Sequence, residues 1–286
     1  MATKHILGFS GGIDSQAASR WLLNRYPAED VILLNSDAGG NEHPLTTEFI
    51  HWYSENVHHV HEVTPLVCDM GTRRPSVQQR IKELALNPDD KLTFDVLANI
   101  KGFFPSSRIQ FCTEHLKLYP QQRWIRENII DKGLEFVRYA GVRWDESSKR
   151  AKRPHECEDE FFGVTLRHPI IDWTKEMCFA YVAAYNERVN ELYTLGFERV
   201  GCAPCVNSKK ADVRNWARRF PEMIDKVREW EKKTGLPFFK PKVPGKDINW
   251  IDEVVEWPMT ARGGKETDLE VLEEPPACQS AYGLCG

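Results

Sequence analysis

The sequence predicts an α/β protein with a doubly wound parallel sheet that carries helices on both faces. Two features of the chain predict this fold class. Short apolar or β-branched segments bounded by turn residues alternate with longer segments of helical periodicity, and strands that alternate with helices usually form a parallel sheet. The chain of 286 residues is also long enough to bury such a core without disulfide bonds.

Four strands are predicted, and each is short and bounded by turn residues. They lie at residues 5–9, 31–35, 59–64 and 136–140. Helices are predicted at residues 14–26 and 46–56, because each segment places its apolar residues on one face. Parallel strands end at one edge of their sheet, so ligands are expected beyond the carboxyl ends of these strands.

The rest of the chain is less regular and divides the predicted fold into a main domain and a smaller region. Residues 73–110 contain one helix-like stretch and are predicted to form a lid or a substrate-specificity insertion. Beyond residue 235 the sequence becomes rich in proline and then acidic, which predicts an extended tail. We therefore expect a main nucleotide-binding domain over residues 1–195 and a small cysteine-containing region over residues 196–286 packed on it.

Composition narrows the classes of partner. Lysine and arginine number 38 against 42 aspartate and glutamate, a formal net charge of −4, so any contact with nucleic acid must be local. No apolar run approaches the roughly 18–20 residues needed to cross a bilayer, and residues 1–9 are too short for a signal peptide. We expect a cytoplasmic protein without membrane contact, whose eight cysteines are mostly thiols or metal ligands.

The most informative segment lies between the first predicted strand and the first predicted helix. It consists of Ser10, Gly11, Gly12, Ile13, Asp14 and Ser15. The glycines allow a sharp turn whose N–H groups point at one anion, and the helix start adds unpaired amides and a positive dipole end. Serine hydroxyls can donate to phosphate oxygens, and Asp14 can hold an amide or a Mg²⁺ ion. These six residues are predicted to bind the phosphates of a nucleotide, and a glycine-rich turn without a ligand is the alternative.

Three further residues follow other predicted strands and are assigned to the same nucleotide site. Asp37 follows the second strand, and Gly141 and Arg143 follow the fourth. Because the carboxyl ends of parallel strands lie at one edge of the sheet, all three are expected close to the glycine-rich loop. Arg143 can bind phosphate through charge-assisted hydrogen bonds.

Five segments resemble one protein family. The loop at residues 10–15 resembles the PP-loop of ATP pyrophosphatases, the adenine nucleotide alpha hydrolase-like superfamily in which ATP is split to AMP and pyrophosphate. Four later segments resemble the phosphoadenosine phosphosulfate (PAPS) reductase-like branch and follow its order. They are LLNSDAG at 33–39, YAGVRWDES at 139–147, HPIIDWT at 168–174, and NELY with GFERVGCAPC within 190–205. The resemblance implies the fold of that superfamily, with ATP and Mg²⁺ as cofactors.

The cysteines indicate a second kind of chemistry. Cys202 and Cys205 form a C-x-x-C pair that can present two sulfurs to one metal. Residues 112–120 resemble the C-C-x-x-x-K-x-x-P segment of iron–sulfur sulfonucleotide reductases, with Thr113 in place of the second cysteine. The resemblance implies a 4Fe-4S cluster bound by Cys112, Cys202, Cys205 and either Cys285 or Cys278. The alternative is a zinc site that leaves Cys112 free, with Cys202, Cys205, Cys278 and Cys285 as its ligands.

The intact loop decides which reaction the resemblance favours. Reductases of the family use ready-made sulfonucleotides and usually depart from the S-G-G-x-D-S loop that this chain keeps, and the chain lacks their E-C-G-[IL]-H tail. We therefore expect an ATP-dependent enzyme that adenylylates its substrate, releases pyrophosphate and lets sulfur displace AMP, as in nucleic-acid thiolation or phosphorothioation. Its partners would be an adenine nucleotide, a nucleic acid and a sulfur-donor protein. The catalytic residues implied are Asp14, Ser15, Asp37, Arg143 and Cys112.

Two other functions stay open from the sequence. One is a reductase that makes sulfite from an activated sulfate, with Cys285 or Cys112 as the nucleophile. The other is a nucleotide-binding module whose metal is structural. Nucleic-acid contact is expected at two basic clusters, with Trp144 or Trp216 as stacking surfaces. The clusters are Arg138, Arg143, Lys149, Arg150, Lys152 and Arg153, and Lys209, Lys210, Arg214, Arg218 and Arg219.

Overall fold

A six-stranded sheet lies at the centre of the computed structural model, which describes residues 3–71, 74–106, 108–148, 150–239 and 248–259. The strands are β1 (Lys4–Gly8), β2 (Val31–Ser36), β3 (Val60–Val63), β4 (Phe136–Tyr139), β5 (Glu156–Glu158) and β6 (Thr165–Arg167). Their order across the sheet is β3-β2-β1-β4-β6-β5. Neighbouring strands run parallel except at one edge, where β5 is antiparallel to β6.

Helices cover both faces of this sheet. The described α-helices are α1 (Ile13–Leu23), α2 (Pro44–Asn56), α3 (Pro75–Glu83), α4 (Phe94–Lys101), α5 (Phe111–Thr113), α6 (Tyr119–Ile125), α7 (Lys175–Ala183), α8 (Lys210–Arg219), α9 (Pro221–Thr234) and α10 (Ile251–Met259), of which α1, α2, α6 and α7 pack on the sheet. Leu7 and Leu33 share one core with α1, α2 and α7, while Ile6 and Leu34 share another with α6. Successive strand residues point to opposite faces. The predicted doubly wound α/β fold is therefore confirmed.

The predicted strands agree closely with the observed ones. All four are present, and their ends differ from the predicted ends by at most one residue. The two strands that were not predicted, β5 and β6, have three residues each. A segment of that length is too short for an alternating pattern to stand out, and β5 has two exposed glutamates around a partly buried cysteine.

A third hydrophobic core joins two parts of the chain that the sequence analysis kept apart. It takes residues from 67–116 and from 192–254. The ring of Phe94 in α4 lies 5.2 Å from Trp230 of α9 and 5.9 Å from Phe238. The segment predicted as a lid or insertion therefore packs on the C-terminal region. The domain boundary after residue 195 stays a prediction.

Candidate functional site

The glycine-rich loop connects β1 to α1 at the carboxyl edge of the sheet. Ser15 Oγ donates to the carbonyl of Gly12 (2.9 Å) and accepts from the amide of Ser10 (3.2 Å), which ties the loop to the first turn of α1. Gly11 has a φ of +73°, and a Cβ atom there would lie 3.1 Å from Ile50 of α2. Glycine at this position therefore serves both the backbone turn and the close approach of α2.

Asp14 and Arg143, which are far apart in sequence, form one ion pair at this loop. Arg143 Nε donates to Asp14 Oδ1 at 2.7 Å, and Arg143 also pairs with Asp145. The Arg143 amide donates to Glu146 at 2.8 Å. Burial and the nearby Glu146 raise the pKa of Asp14, while Arg143 lowers it. The structure thus brings together the two charged residues that the sequence analysis assigned to phosphate chemistry.

Gly141 allows this ion pair to form, because it lies against the start of α1. A Cβ atom at Gly141 would be 2.7 Å from the carbonyl oxygen of Asp14 and 3.0 Å from the amide nitrogen of Ser15. Any side chain would push the end of β4 away from the loop. Gly141 is therefore a packing requirement of the predicted nucleotide site.

Two residues that the sequence analysis did not assign to the site also contact the loop region, and a third, Lys175, interacts with it electrostatically. The Tyr193 hydroxyl accepts a hydrogen bond from the Ile13 amide at 3.0 Å. Asn190 Nδ2 donates to Thr46 Oγ1 at 3.1 Å, so it anchors the same turn to α2. Burial lowers the pKa of Lys175, and the nearby Asp14 opposes that shift. Asn190 and Tyr193 belong to the NELY motif, which was the available signal for them.

A cavity of about 410 Å³ opens beside the glycine-rich loop. Its lining residues come from the end of β2, the following turn, α2 and β3: Asn35, Asp37, Gly40, Glu42, Pro44, Thr47, Ile50 and Glu62. Ile50 also contacts Gly11, so the cavity and the loop share a wall. Asp37 accepts from the Gly40 amide at 2.7 Å and pairs with Lys91 at 2.5 Å.

The C-x-x-C loop is attached to the segment that lines this cavity. Cys202 forms an isolated antiparallel bridge with Glu42. The amide of Ala203 donates to the Asn41 carbonyl at 2.8 Å, and Asn41 Nδ2 donates to the Pro204 carbonyl at 3.2 Å. The backbone between β2 and α2 therefore holds the cysteine loop at the edge of the cavity.

Three thiols and one buried lysine surround this attachment point. Burial and the nearby Cys205 raise the pKa of Cys112 to about 12, and burial also raises the pKa of Cys202. Lys117 Nζ donates to Glu42 Oε1 at 3.2 Å. Burial acts to lower the pKa of Lys117, but Cys202 and Glu42 raise it above its usual value.

The described thiols do not by themselves make a complete metal site. Cys112, Cys202 and Cys205 lie close enough to influence one another's pKa. In the part of the chain that the structure describes, however, no group of three or more His, Cys, Asp or Glu side chains is arranged to hold a metal ion. Cys278 and Cys285 lie outside the described residues. The predicted 4Fe-4S cluster, and zinc as its alternative, both stay predictions.

The first basic cluster is largely occupied by internal ion pairs. Arg138 pairs with Asp159 inside the protein at 3.1 Å, and Arg150 is buried and pairs with Glu146. Trp216 is 3% exposed and belongs to the third core, so its prediction as a stacking surface is wrong. Arg138 thus neutralises a buried carboxylate and Arg150 a half-buried one, which a charge count along the sequence could not reveal. Lys149 lies outside the described residues.

Stability is expected to fall when the protein is acidified from pH 7 to pH 5. Burial, with Lys226 or Lys101 nearby, lowers the pKa of His43 and of His115 to about 4 in the folded protein. The unfolded chain binds protons at these groups near pH 6.5, so the folded state loses stability as the pH falls from that value toward 4. Each histidine should cost about 2 kcal/mol at pH 5.

Urea unfolding at both pH values measures this effect. His43→Asn keeps a side-chain acceptor for the Leu45 amide, which His43 Nδ1 now binds at 3.1 Å. This variant should lose about 2 kcal/mol of the change in unfolding free energy between the two pH values, because His43 no longer titrates. An unchanged pH dependence in both His43→Asn and His115→Gln would contradict the assignment.

Comparison with known protein families places this site in context. Residues 4–208 match the phosphoadenosine phosphosulfate reductase domain. A 37.8 kDa uncharacterised protein of Escherichia phage 186 is 30% identical, and the alignment covers 99% of this chain and 97% of that protein. An adenosine 5′-phosphosulfate reductase of Neisseria meningitidis is 37% identical over 76 residues, which cover 26% of this chain and 31% of that enzyme.

A solved structure with a similar arrangement is the PAPS reductase of Candida auris. It is 17% identical, covers 71% of this chain and 82% of its own, and has a TM-score of 0.46. Among the described residues, no helix is long and apolar enough to cross a membrane. The family match spans the glycine-rich loop, the Arg143 segment and the C-x-x-C pair. This chain is therefore a member of the phosphoadenosine phosphosulfate reductase domain family.

Proposed function

We propose that this protein binds ATP at the loop of residues 10–15 and transfers the adenylyl group to a substrate oxygen, releasing pyrophosphate and preparing that substrate for sulfur transfer. The observation that carries the proposal is the backbone β-bridge between Cys202 and Glu42, because Glu42 also lines the cavity beside the loop. A thiol-bearing segment and a phosphate-type loop thus meet at one rim of the sheet. An activation step followed by sulfur chemistry requires these two features side by side.

The first step forms a bond between the substrate oxygen and the α-phosphorus of ATP. The bond from that phosphorus to the oxygen bridging to the β-phosphate breaks, and pyrophosphate leaves with the electron pair. In this proposal the positive end of α1 and the Ser10 hydroxyl stabilise the leaving group. In the second step a sulfur nucleophile from a donor attacks the activated atom of the substrate, and AMP leaves.

Mg²⁺ would neutralise phosphate charge in this reaction, and it is usually held by phosphates with one or two carboxylates. Asp37 is the better placed carboxylate, since it lines the cavity and is partly exposed. Asp14 is engaged by Arg143, and its role in the proposal is to hold that arginine at the loop. A metal centre at Cys112, Cys202 and Cys205 is a separate proposal, and no step above depends on it.

Product analysis with labelled ATP tests the proposed function. With ATP labelled at the α- or the γ-phosphate and with bulk tRNA or DNA as acceptor, we expect AMP and pyrophosphate. Asp14→Ala should lower this turnover about 100-fold or more, because Arg143 would lose the carboxylate that holds it at the loop, and the loss of one preorganised charge contact to a reacting phosphate costs about 3 kcal/mol. Asp131→Ala is a matched control, because Asp131 is exposed and precedes β4 at the opposite edge of the sheet.

Each contrary result identifies another function. Sulfite released from PAPS or adenosine phosphosulfate, with no AMP and pyrophosphate formed from ATP, would favour a sulfonucleotide reductase. ADP and phosphate as products would contradict adenylylation. ATP binding detected by calorimetry without turnover of any acceptor would favour a nucleotide-binding module.

A further inference from the structure

A second and larger groove lies on the helical part of the protein, away from the glycine-rich loop. It has a volume of about 760 Å³, and its walls come from α3, the end of α4, residues 109–119 and the end of α9. The predicted lid or insertion thus supplies most of this surface. Neither of the two basic clusters found in the sequence contributes to it.

Basic side chains converge on this groove from separate elements. Arg74 and Arg80 come from α3 and its N-cap, Lys101 ends α4, and Glu114 is the one carboxylate among the described lining residues. Lys101 Nζ lies 5.6 Å from the centre of the Phe111 ring. Burial and the nearby Arg74 lower the pKa of Lys101. Like charges gathered in a partly dry groove favour an anionic ligand.

A buried histidine adds an unsatisfied polar group to the same groove. His115 is 5% exposed, lines the groove, and has an Nδ1 atom without a hydrogen-bond partner in the described structure. Its ring meets that of Tyr119 edge to face at 5.1 Å. Buried polar atoms are rarely left unpaired in proteins. The unpaired atom is closed to solvent, so the imidazole adds polarity to the wall of the groove without contacting a ligand directly.

Aromatic and apolar side chains line the same groove as the cations. Phe103 is half-buried and meets the buried ring of Phe111 edge to face at 5.3 Å, so Phe103 is the ring of this pair that a base can reach, and Ile109 is 53% exposed. Positive charge combined with aromatic rings is the pattern that binds the backbone and the bases of single strands. A free phosphate ion would use only the cations and would leave most of the volume empty.

We propose that this groove binds single-stranded nucleic acid, and that the bound strand is the sulfur acceptor. The second part rests on the proposed function, whereas strand binding does not. Phe111 in the groove wall directly precedes Cys112 in the chain. A strand in the groove would therefore lie against α5, the helix that also carries Cys112.

Fluorescence anisotropy with a labelled strand of about 12 nucleotides tests this inference. We expect DNA or RNA single strands to bind, and the stronger of the two identifies the acceptor type. Lys101→Glu should weaken binding at least about 10-fold and reduce the salt dependence by about one released ion. Phe103→Ala should weaken binding without changing the salt dependence, because stacking releases no ions.

Lys132→Glu makes the same change in net charge at an exposed residue outside the groove. Lys132 lies shortly before β4, at the amino ends of the parallel strands. Strand binding by this variant should equal that of the wild type, and circular dichroism melts verify that each variant folds. An equal loss in Lys132→Glu and Lys101→Glu would overturn the inference. So would the absence of binding to any strand, or equally strong competition by an acidic peptide.

A variant of the glycine-rich loop separates this inference from the proposed function. Asp14→Ala should bind the strand normally and lose only turnover with ATP. Lys101→Glu could lose strand binding and still adenylylate another acceptor at the normal rate. This result would support the proposed function and contradict nucleic acid as the acceptor. Strand binding without any adenylylation by the wild type would contradict the proposed function and with it the acceptor role, and only the inference of strand binding would stand.

Discussion

Arg143→Ala is expected to weaken ATP binding about 100-fold, which corresponds to about 2.7 kcal/mol. The guanidinium donates to Asp14 at 2.7 Å and also pairs with Asp145, so its removal leaves both carboxylates without their cation. A charge-assisted hydrogen bond contributes about 1.5–3 kcal/mol, and the uncompensated Asp14 would also repel phosphate. Isothermal titration calorimetry with ATP measures the change.

The pH dependence of ATP binding by Arg143→Ala provides a second test. Burial and Glu146 already raise the pKa of Asp14, and loss of Arg143 removes the main group that lowers it, leaving only the weaker effect of Arg150. The carboxyl in Arg143→Ala should therefore bind a proton at a higher pH than in the wild type. As the pH falls through that pKa, the repulsion of phosphate disappears, so the affinity of the variant for ATP should recover part of its loss.

Two matched variants control the Arg143 experiment. Arg143→Lys keeps the positive charge but loses the planar fork that contacts two carboxylates at once, so we expect a loss of about 10-fold. Arg126→Ala removes an exposed arginine at the end of α6 and should leave ATP affinity unchanged. Wild-type affinity in Arg143→Ala would contradict the assignment of Arg143 to the nucleotide site.

Asp159→Ala is expected to lower the free energy of unfolding by about 3–5 kcal/mol. Arg138 and Asp159 are 2% and 0% exposed and lie 3.1 Å apart between β4 and the turn after β5. Asp159 Oδ1 also accepts from the amides of Phe161 and Phe162 at 2.9 and 3.3 Å. Removing the carboxylate takes away the negative charge that faces the buried guanidinium at 3.1 Å and leaves two amides without that acceptor.

A solvent-exposed ion pair between β5 and β6 is the control for this prediction. Arg167 and Glu156 lie 2.9 Å apart, with side chains 43% and 58% exposed. Because exposed ion pairs contribute little, Glu156→Ala should cost less than about 1 kcal/mol in the same urea titration. If Asp159→Ala lowers the free energy of unfolding no more than Glu156→Ala does, burial does not strengthen the pair.

Much of the site could be predicted from the sequence because its chemistry follows strand ends. Ser10, Asp37 and Gly141 come after β1, β2 and β4, and parallel strands place such residues at one edge. The spacing of the cysteines identified the C-x-x-C pair but not its location. That pair is held by hydrogen bonds to Asn41 and a bridge to Glu42, and no local pattern encodes these contacts.

Charge patterns were the least reliable guide to this protein. Arg138 and Arg150 belong to a basic run in sequence, yet each neutralises a carboxylate inside the fold. The groove that gathers Arg74, Arg80 and Lys101 has no such run, because its cations come from different helices. Only packing decides which charges face solvent, since burial depends on what the rest of the chain places around each group.

By itself the sequence determined the fold class, the four principal strands, the glycine-rich loop and the family. These features depend on local periodicity and on residues adjacent in the chain, where backbone geometry leaves few alternatives. The tertiary structure alone decided that Asp14 meets Arg143, that Cys202 meets Glu42, and that residues 67–116 share a core with residues 192–254. Such contacts join segments far apart along the chain, and their free energy comes from burying surfaces that exist only after the sheet and its helices have assembled.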